Sequence, residues 1–266
     1  FGQLTYRESI SDIINCLFAH KNKVYHLGIK KLVAVSSLTR ANENRDWKIY
    51  QDFAHYLIRL VRPLYVDDSD FVLELDNTVY ALDSSTIDVC LTTFNWAKFR
   101  KNKGAVKMHT LLDLRGNIPV FIKITDGKVH DVNILELINF EIGAFYVMDK
   151  AYIDFEKLFE IKEALAFFVL RAKSNFAYRR LYSNKKDKTT GIKYDQTIKL
   201  TGYKSKKAYP EKMRKIKYYD KEKNKTYEFI TNNFKLDAML IANLYKQRWQ
   251  IELFFKAIKQ NLKIKT

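Results

Sequence analysis

Two short apolar runs that each stop on an aspartate constrain this chain more than any other feature. Asn77-Thr-Val-Tyr-Ala-Leu-Asp83 and Ala144-Phe-Tyr-Val-Met-Asp149 read as strands, and each delivers a carboxylate at its end. A carboxylate just past a buried strand is held rigidly at the sheet rim, where ligands gather in α/β folds. Phe167-Phe-Val-Leu-Arg171 is a third buried-strand pattern and ends on an arginine.

Around these runs the chain alternates helix and strand. Between them, Lys107-Met-His-Thr-Leu-Leu-Asp113, the turn Arg115-Gly-Asn117 and Ile118-Pro-Val-Phe-Ile-Lys-Ile-Thr125 read as a hairpin. Phe71-Val-Leu-Glu-Leu75 is a further strand pattern. His130 to Ile138 reads as a short helix with His130-Asp131 as its cap, and Asp154 to Leu165 as a longer one. Residues 176–228 change character: they are rich in Lys, Arg and Tyr, with strand-type alternation at Ile192-Lys-Tyr and Thr197-Ile-Lys-Leu. Tyr227 to Asn232 is the last strand, so a basic β-rich insertion, bounded at about 167–235, interrupts the larger region 67–266.

The first 66 residues read as helical. Ser9 to Ala19 carries Ile10, Ile13, Ile14, Leu17 and Phe18 at helical spacing, Ser37 opens a capped helix, and Asp52 to Val61 continues until Arg62-Pro63 ends it. With Lys21, Lys23, Lys30, Lys31, Arg40 and Arg45 interleaved, this region suits a helical DNA-binding module or an ordinary bundle with a basic surface.

Asp237 opens the closing helix. At about 100° per residue, Tyr245, Arg248, Glu252 and Lys259 fall within an arc of roughly 60°. Leu244, Ile251, Phe255, Ile258 and Leu262 fill a neighbouring apolar arc. One carboxylate, two cations and a phenol therefore border the buried face. That is either a solvated stripe or a metal ligand set beside phosphate-binding groups.

The charge balance bears on that choice. Forty-seven Lys and Arg against thirty Asp and Glu leave +17, a surplus that points to a polyanion, either nucleic acid or an anionic membrane surface. The basic residues lie in β-rich loops and beside acids, not along an amphipathic basic helix, which favours nucleic acid. No apolar run is long enough to span a membrane and no signal-peptide pattern opens the chain, so a cytoplasmic protein is expected. Cys16 and Cys90 are far apart and read as buried thiols, with neither a disulfide nor zinc implied. The chain begins with Phe1 and stops at Thr266 directly after a helical pattern, so it reads as a piece truncated at both ends.

Three acids thus stand out: Asp83, Asp149 and Glu252. Two strands side by side with a helix packed against them could bring these carboxylates to two Mg²⁺ ions, an arrangement suited to phosphodiester chemistry. The order strand-Asp, hairpin, strand-Asp, helix-Glu fits an RNase H-like mixed sheet flanked by helices.

In these motifs the chain resembles the DDE transposases of bacterial insertion sequences, in particular the IS-four-type group with its Tyr-x2-Arg-x3-Glu-x6-Lys signature, here Tyr245, Arg248, Glu252 and Lys259. The resemblance takes in Leu82-Asp83-Ser-Ser-Thr86, Met148-Asp149-Lys-Ala-Tyr152, Lys107-Met-His109, Thr125-Asp-Gly-Lys-Val-His-Asp131 and Phe168-Val-Leu-Arg171, and runs over roughly residues 5–266. It implies a recombinase that binds the terminal inverted repeats of its element as a homodimer, cleaves donor DNA and joins 3′ ends to target DNA. Asp83, Asp149 and Glu252 would hold two Mg²⁺ or Mn²⁺ ions, and Tyr245, Arg248, Lys259 and Arg171 would grip DNA. Tyr227 would match an aromatic residue that stacks on a flipped base in members using a hairpin intermediate. An RNase H-like nuclease without strand transfer and an inactive DNA-binding remnant remain the alternatives.

Overall fold

The computed structural model describes residues 7, 9–65, 75–89, 97–100, 103–173, 175–185 and 189–261. They form two compact units, residues 61–255 and residues 1–60 together with 256–266. Most of the strand pattern at 71–75 lies outside the described residues, as do Cys90 and Leu262.

The smaller unit carries α1 (Ile10–Ala19), α2 (Val35–Asn44) and most of α3 (Lys48–Val61). Ser9 caps α1 by accepting from the Asp12 amide at 3.0 Å. The other two helices start earlier than their sequences suggest. Ala34 is the residue before α2, which places Ser37 inside the helix, and Asp46 accepts from the Lys48 amide at 2.9 Å, starting α3 four residues before Asp52. Among the described residues of this unit only Val24 is buried. Cys16 is accordingly half-exposed, not buried, with its sulfur 4.0 Å from His20 Nδ1.

The larger unit is built on one mixed sheet. Its first six strands are β1 (Val79–Val89), β2 (Lys98–Arg100), β3 (Lys103–Asp113), β4 (Ile118–Asp126), β5 (Phe145–Met148) and β6 (Phe167–Arg171). β1 pairs antiparallel with β3 and β3 with β4, whereas β5 runs parallel to β1 and β6 parallel to β5. The order β4-β3-β1-β5-β6, three antiparallel strands followed by two parallel ones, is the RNase H-like arrangement expected from the sequence.

The central strands are apolar on both faces because both are covered. Tyr80, Leu82, Tyr146, Met148, Phe168 and Leu170 share one face and the main core cluster. Val79, Ala81, Phe145, Val147 and Val169 alternate onto the other face and are equally buried. α4 (Phe155–Glu163) is capped by Asp154, packs on β6 and buries Leu158 and Ile161. The stretch from His130 is a short 3₁₀ helix (Asp131–Leu137), and the His130 side chain does not cap it.

The basic insertion is not a separate sheet. β7 (Tyr178–Ser183), β8 (Ile192–Leu200), α5 (Tyr203–Ala208), β9 (Lys212–Asp220) and β10 (Lys225–Thr231) come in sequence, and β10 pairs antiparallel with β6. The sheet therefore continues β6-β10-β9-β8-β7, and the two alternating stretches from Ile192 to Leu200 are one strand.

A buried ion pair fastens this extension to the helical segment beyond it. Arg214 on β9 donates to both Asp195 oxygens on β8, at 2.9 and 2.7 Å, and to the Leu236 carbonyl at 2.5 Å. Leu236 stands just ahead of α6 (Ala238–Gln247), which Asp237 caps and which packs against β5, β6, β8 and β9. Because both side chains of the pair are under 10% exposed, removing one partner strands a buried charge. Asp195→Ala should cost about 3–5 kcal/mol in urea unfolding, and the double change Asp195→Leu with Arg214→Met should recover most of it. A single-variant loss below about 1 kcal/mol would place the clamp among inconsequential surface pairs.

Candidate active site

Sheet register assembles the site. The last parallel pairs are Leu82 with Met148 and Met148 with Leu170. The next residue on each strand is Asp83, Asp149 and Arg171, so three predicted site residues form one row across three neighbouring strands. They share the face that carries Ala81, Val147 and Val169. Asp83 does not end its strand as expected: only the pairing with β5 ends there, and β1 runs on beside β3 to Val89.

The closing helix is two helices. α6 stops at Gln247 and α7 (Trp249–Asn261) begins after Arg248, whose backbone stays helical at φ −51° and ψ −26°. Around the junction the bonds tighten to three-residue spacing: the Arg248 amide donates to the Tyr245 carbonyl at 3.1 Å, and the Ile251 amide to the Arg248 carbonyl at 3.2 Å. Leu244, Ile251 and Phe255 are buried as the apolar arc requires, whereas Ile258 on the same arc is only half-buried.

From this junction the polar stripe meets the row of acids. Arg248 Nη1 donates to Asp83 Oδ2 at 2.7 Å, and Nη2 donates to Glu252 Oε1 at 2.5 Å. Tyr245 donates to Asp149 Oδ1 at 3.3 Å, its ring against Phe229 with centroids 4.8 Å apart. One guanidinium therefore joins acids 169 positions apart in sequence (252 − 83).

The electrostatics are set by burial. Burial pushes the Asp83 carboxyl up to about 6, and the neighbouring Glu252 and Asp149 carboxylates add to the rise. The Ser84 amide, 2.8 Å from Asp83 Oδ1, and Arg248 pull the other way. Burial opposes the charge on Arg248, but Tyr245, Asp83 and Glu252 outweigh it and its pKa is raised. Burial likewise pushes the Tyr245 hydroxyl up to about 12.

Three carboxylates suit a hard divalent cation. Among the described residues no three acidic, histidine or cysteine groups stand close enough together to hold an ion as they are. The guanidinium stands between Asp83 and Glu252 and supplies the positive charge the acids need. The donor chemistry fits a divalent cation, with Arg248 as its counterpart among the carboxylates.

Beside the acids lies a cavity of about 370 Å³ lined by Asp149, Arg171, Tyr227, Tyr245 and Arg248. The Arg171 guanidinium lies over the Tyr227 ring, 5.5 Å from its centroid, and Tyr227 stacks on Phe229. Lys223, Lys225, Lys246 and Trp249 complete much of the wall. Sequence reasoning missed these four. Lys223 and Lys225 flank the left-handed Asn224 in the β9–β10 turn, a signal readable only once that hairpin is paired. Lys259 lies in the last turn of α7, within the smaller unit. The contacts above unite the other seven predicted residues.

Residues 74–266 match the family model of the transposase DDE domain, nearly three quarters of the chain, and residues 1–30 match a domain of unknown function. The chain belongs to the DDE transposase family. It is 39% identical over 177 residues to a protein named as a transposase (y4zB) of Sinorhizobium fredii, covering 64% of this chain and 49% of that one. It is 27% identical over 196 residues to a protein of Geobacillus stearothermophilus named as the transposase of insertion sequence element IS5377, covering 73% and 51%. The chain thus spans about half the length of these relatives. The piggyBac transposase in its synaptic complex with hairpin DNA overlaps 86% of this chain and 48% of its own, at 9% identity and a TM-score of 0.43, and the fold assignment rests on strand order instead. Among the described residues no helix is long and apolar enough to cross a membrane.

A carboxyl raised from 3.8 to about 6 is penalised when ionised in the fold. That penalty is absent below about pH 4, where both states are protonated, grows as pH rises and is complete above about pH 6. In chelator-treated protein Asp83→Asn should therefore gain up to about 2–3 kcal/mol at pH 7.5, a gain that fades towards pH 4 in urea unfolding. An equal gain at both pH values would contradict this origin of the shift.

Proposed function

We propose that this chain carries the catalytic domain of a transposase that cleaves DNA at the ends of its element and joins those ends to target DNA. Asp83, Asp149 and Glu252 are the acids that hold divalent metal, two Mg²⁺ or Mn²⁺ ions. When bound, such ions activate the attacking water or 3′-hydroxyl and stabilise the leaving oxygen. The observation that carries this reading is the Arg248 guanidinium bonded to both Asp83 and Glu252 while Tyr245 reaches Asp149.

Each of the chain's own groups has a stated task. Tyr245 and Arg248 orient the acids and present donors to a phosphate, which an arginine fork can bind in two-point fashion. Arg171, in the same row as the two aspartates, and Lys259 add positive charge for the DNA backbone. Tyr227, with the Arg171 guanidinium 5.5 Å from its ring centroid and Phe229 nearly parallel at 6.1 Å, lines the cavity wall, where its ring would stack on an unstacked base. The basic insertion of about 167–235 broadens the DNA-facing surface. The helical region 1–66 binds the terminal inverted repeats, within a homodimer acting in the cytoplasm on nucleoid DNA.

The test is a full-length protein incubated with Mg²⁺ and plasmid DNA carrying the element's inverted repeats. End-specific nicks and strand-transfer joints are expected. Asp83→Ala, Asp149→Ala and Glu252→Ala should each lower both by at least about 10²–10³-fold while leaving DNA retention on gels intact. Nicking without joints would indicate a nuclease on this fold. Absence of both from the parent protein would overturn the proposal.

A further inference from the structure

On the face of the sheet opposite the acid row, a polar cluster converges on the residue next to Asp83. Ser84 donates from Oγ to Asp131 Oδ1 at 2.8 Å, and its own amide donates to Asp83 Oδ1 at 2.8 Å. Asp131, expected to cap the short helix after it, is thus turned onto β1. Lys107 on β3 donates to the same Asp131 oxygen at 3.2 Å and to the Val129 carbonyl at 2.8 Å. His109, fully buried and paired in register with Ser84, lies 3.7 Å from that oxygen and shares a 2.9 Å hydrogen bond with the Thr125 hydroxyl.

The cluster also reaches the second strand-end acid. Tyr152 lies three residues after Asp149 and is 1% exposed. Its hydroxyl, unpaired among the described residues, lies within electrostatic range of Asp83, Asp131 and Asp149 and beside Ser84, short of hydrogen-bond geometry. An apolar cluster here would bury as much surface and hold the strands as firmly, but it would not direct one hydroxyl. Directional bonds that end on Ser84 fix the peptide whose N–H orients the Asp83 carboxylate.

We propose that Asp131 is a positioning residue for Asp83, acting through Ser84, with Lys107 holding Asp131 in place. The inference rests on the reading of Asp83 as a metal ligand. Groups one shell out from a ligand set its orientation, and losing one typically weakens metal binding by about 10–100-fold.

The experiment is Mn²⁺ titration of the whole chain monitored by electron paramagnetic resonance of the free ion, with circular dichroism to check folding. Asp131→Ala and Ser84→Ala should each weaken Mn²⁺ binding by about tenfold or more, and the double variant should be no worse than either alone. Ser84→Thr, which keeps the hydroxyl, should bind like the parent, a rescue that a purely structural role would not produce. If Asp131→Ala does not fold, the contrast between Ser84→Ala and Ser84→Thr decides. Parental affinity in Ser84→Ala, or Ser84→Thr as weak as Ser84→Ala, overturns the inference while Asp83→Asn still abolishes binding. Mn²⁺ binding that ignores Asp83→Asn overturns the metal reading and this inference with it.

Discussion

The guanidinium of Arg248 is the contact on which the rest of this site depends. Asp83, Asp149 and Glu252 come from two strands and a helix, and burial, with a smaller contribution from the neighbouring carboxylates, holds Asp83 well above the ordinary carboxylate range. Three such groups do not stay together in a half-dry cleft without a cation. Arg248 supplies one and at the same time ties the closing helices to the sheet, since its two terminal nitrogens go to different elements. The same charge that neutralises the acids is the charge a DNA phosphate would engage, so one side chain links acid geometry to DNA binding in the proposed reading.

Everything else serves to bring that arginine and the acid row together. Parallel register between β1, β5 and β6 lines up Asp83, Asp149 and Arg171 one step past the last paired residues. The antiparallel join of β10 to β6 carries the insertion outward in the same sheet, and Arg214 with Asp195 fixes the chain that returns from it into α6. The tightened turn at Arg248 then lets Tyr245 and Arg248 reach neighbouring acids. From the opposite face, Asp131 and Ser84 brace the strand that bears Asp83.

Local features are the ones legible in the sequence. Phe167–Arg171 and the run into Asp149 declare themselves as strands because short apolar runs have few other solutions, and the Tyr245–Glu252 spacing works because the helical period is fixed. Long-range pairing is not legible in this way. Nothing in residues 176–231 tells that these strands extend the main sheet, because the pattern specifies which face is buried and not which neighbour is paired. The split at Arg248 is hidden because its backbone angles remain helical and only the hydrogen-bond spacing changes. Asp131 looks like a cap for a related reason: its partner Ser84 lies 47 residues away and meets it only in the folded sheet. Ser37 shows the converse failure, a capping residue type that the helix overruns because Ala34 already has extended backbone.

The central claim is that acids from β1, the end of β5 and α7 share one divalent cation site. Fe²⁺ substituted for Mg²⁺ generates hydroxyl radicals in place with ascorbate and peroxide, and these cut the polypeptide beside the metal's ligands. The account predicts fragments ending next to residues 83, 149 and 252, all suppressed by excess Mg²⁺ and lost together in Asp83→Asn. Cuts near only one of the three, or cuts indifferent to Mg²⁺ and to Asp83, would contradict it.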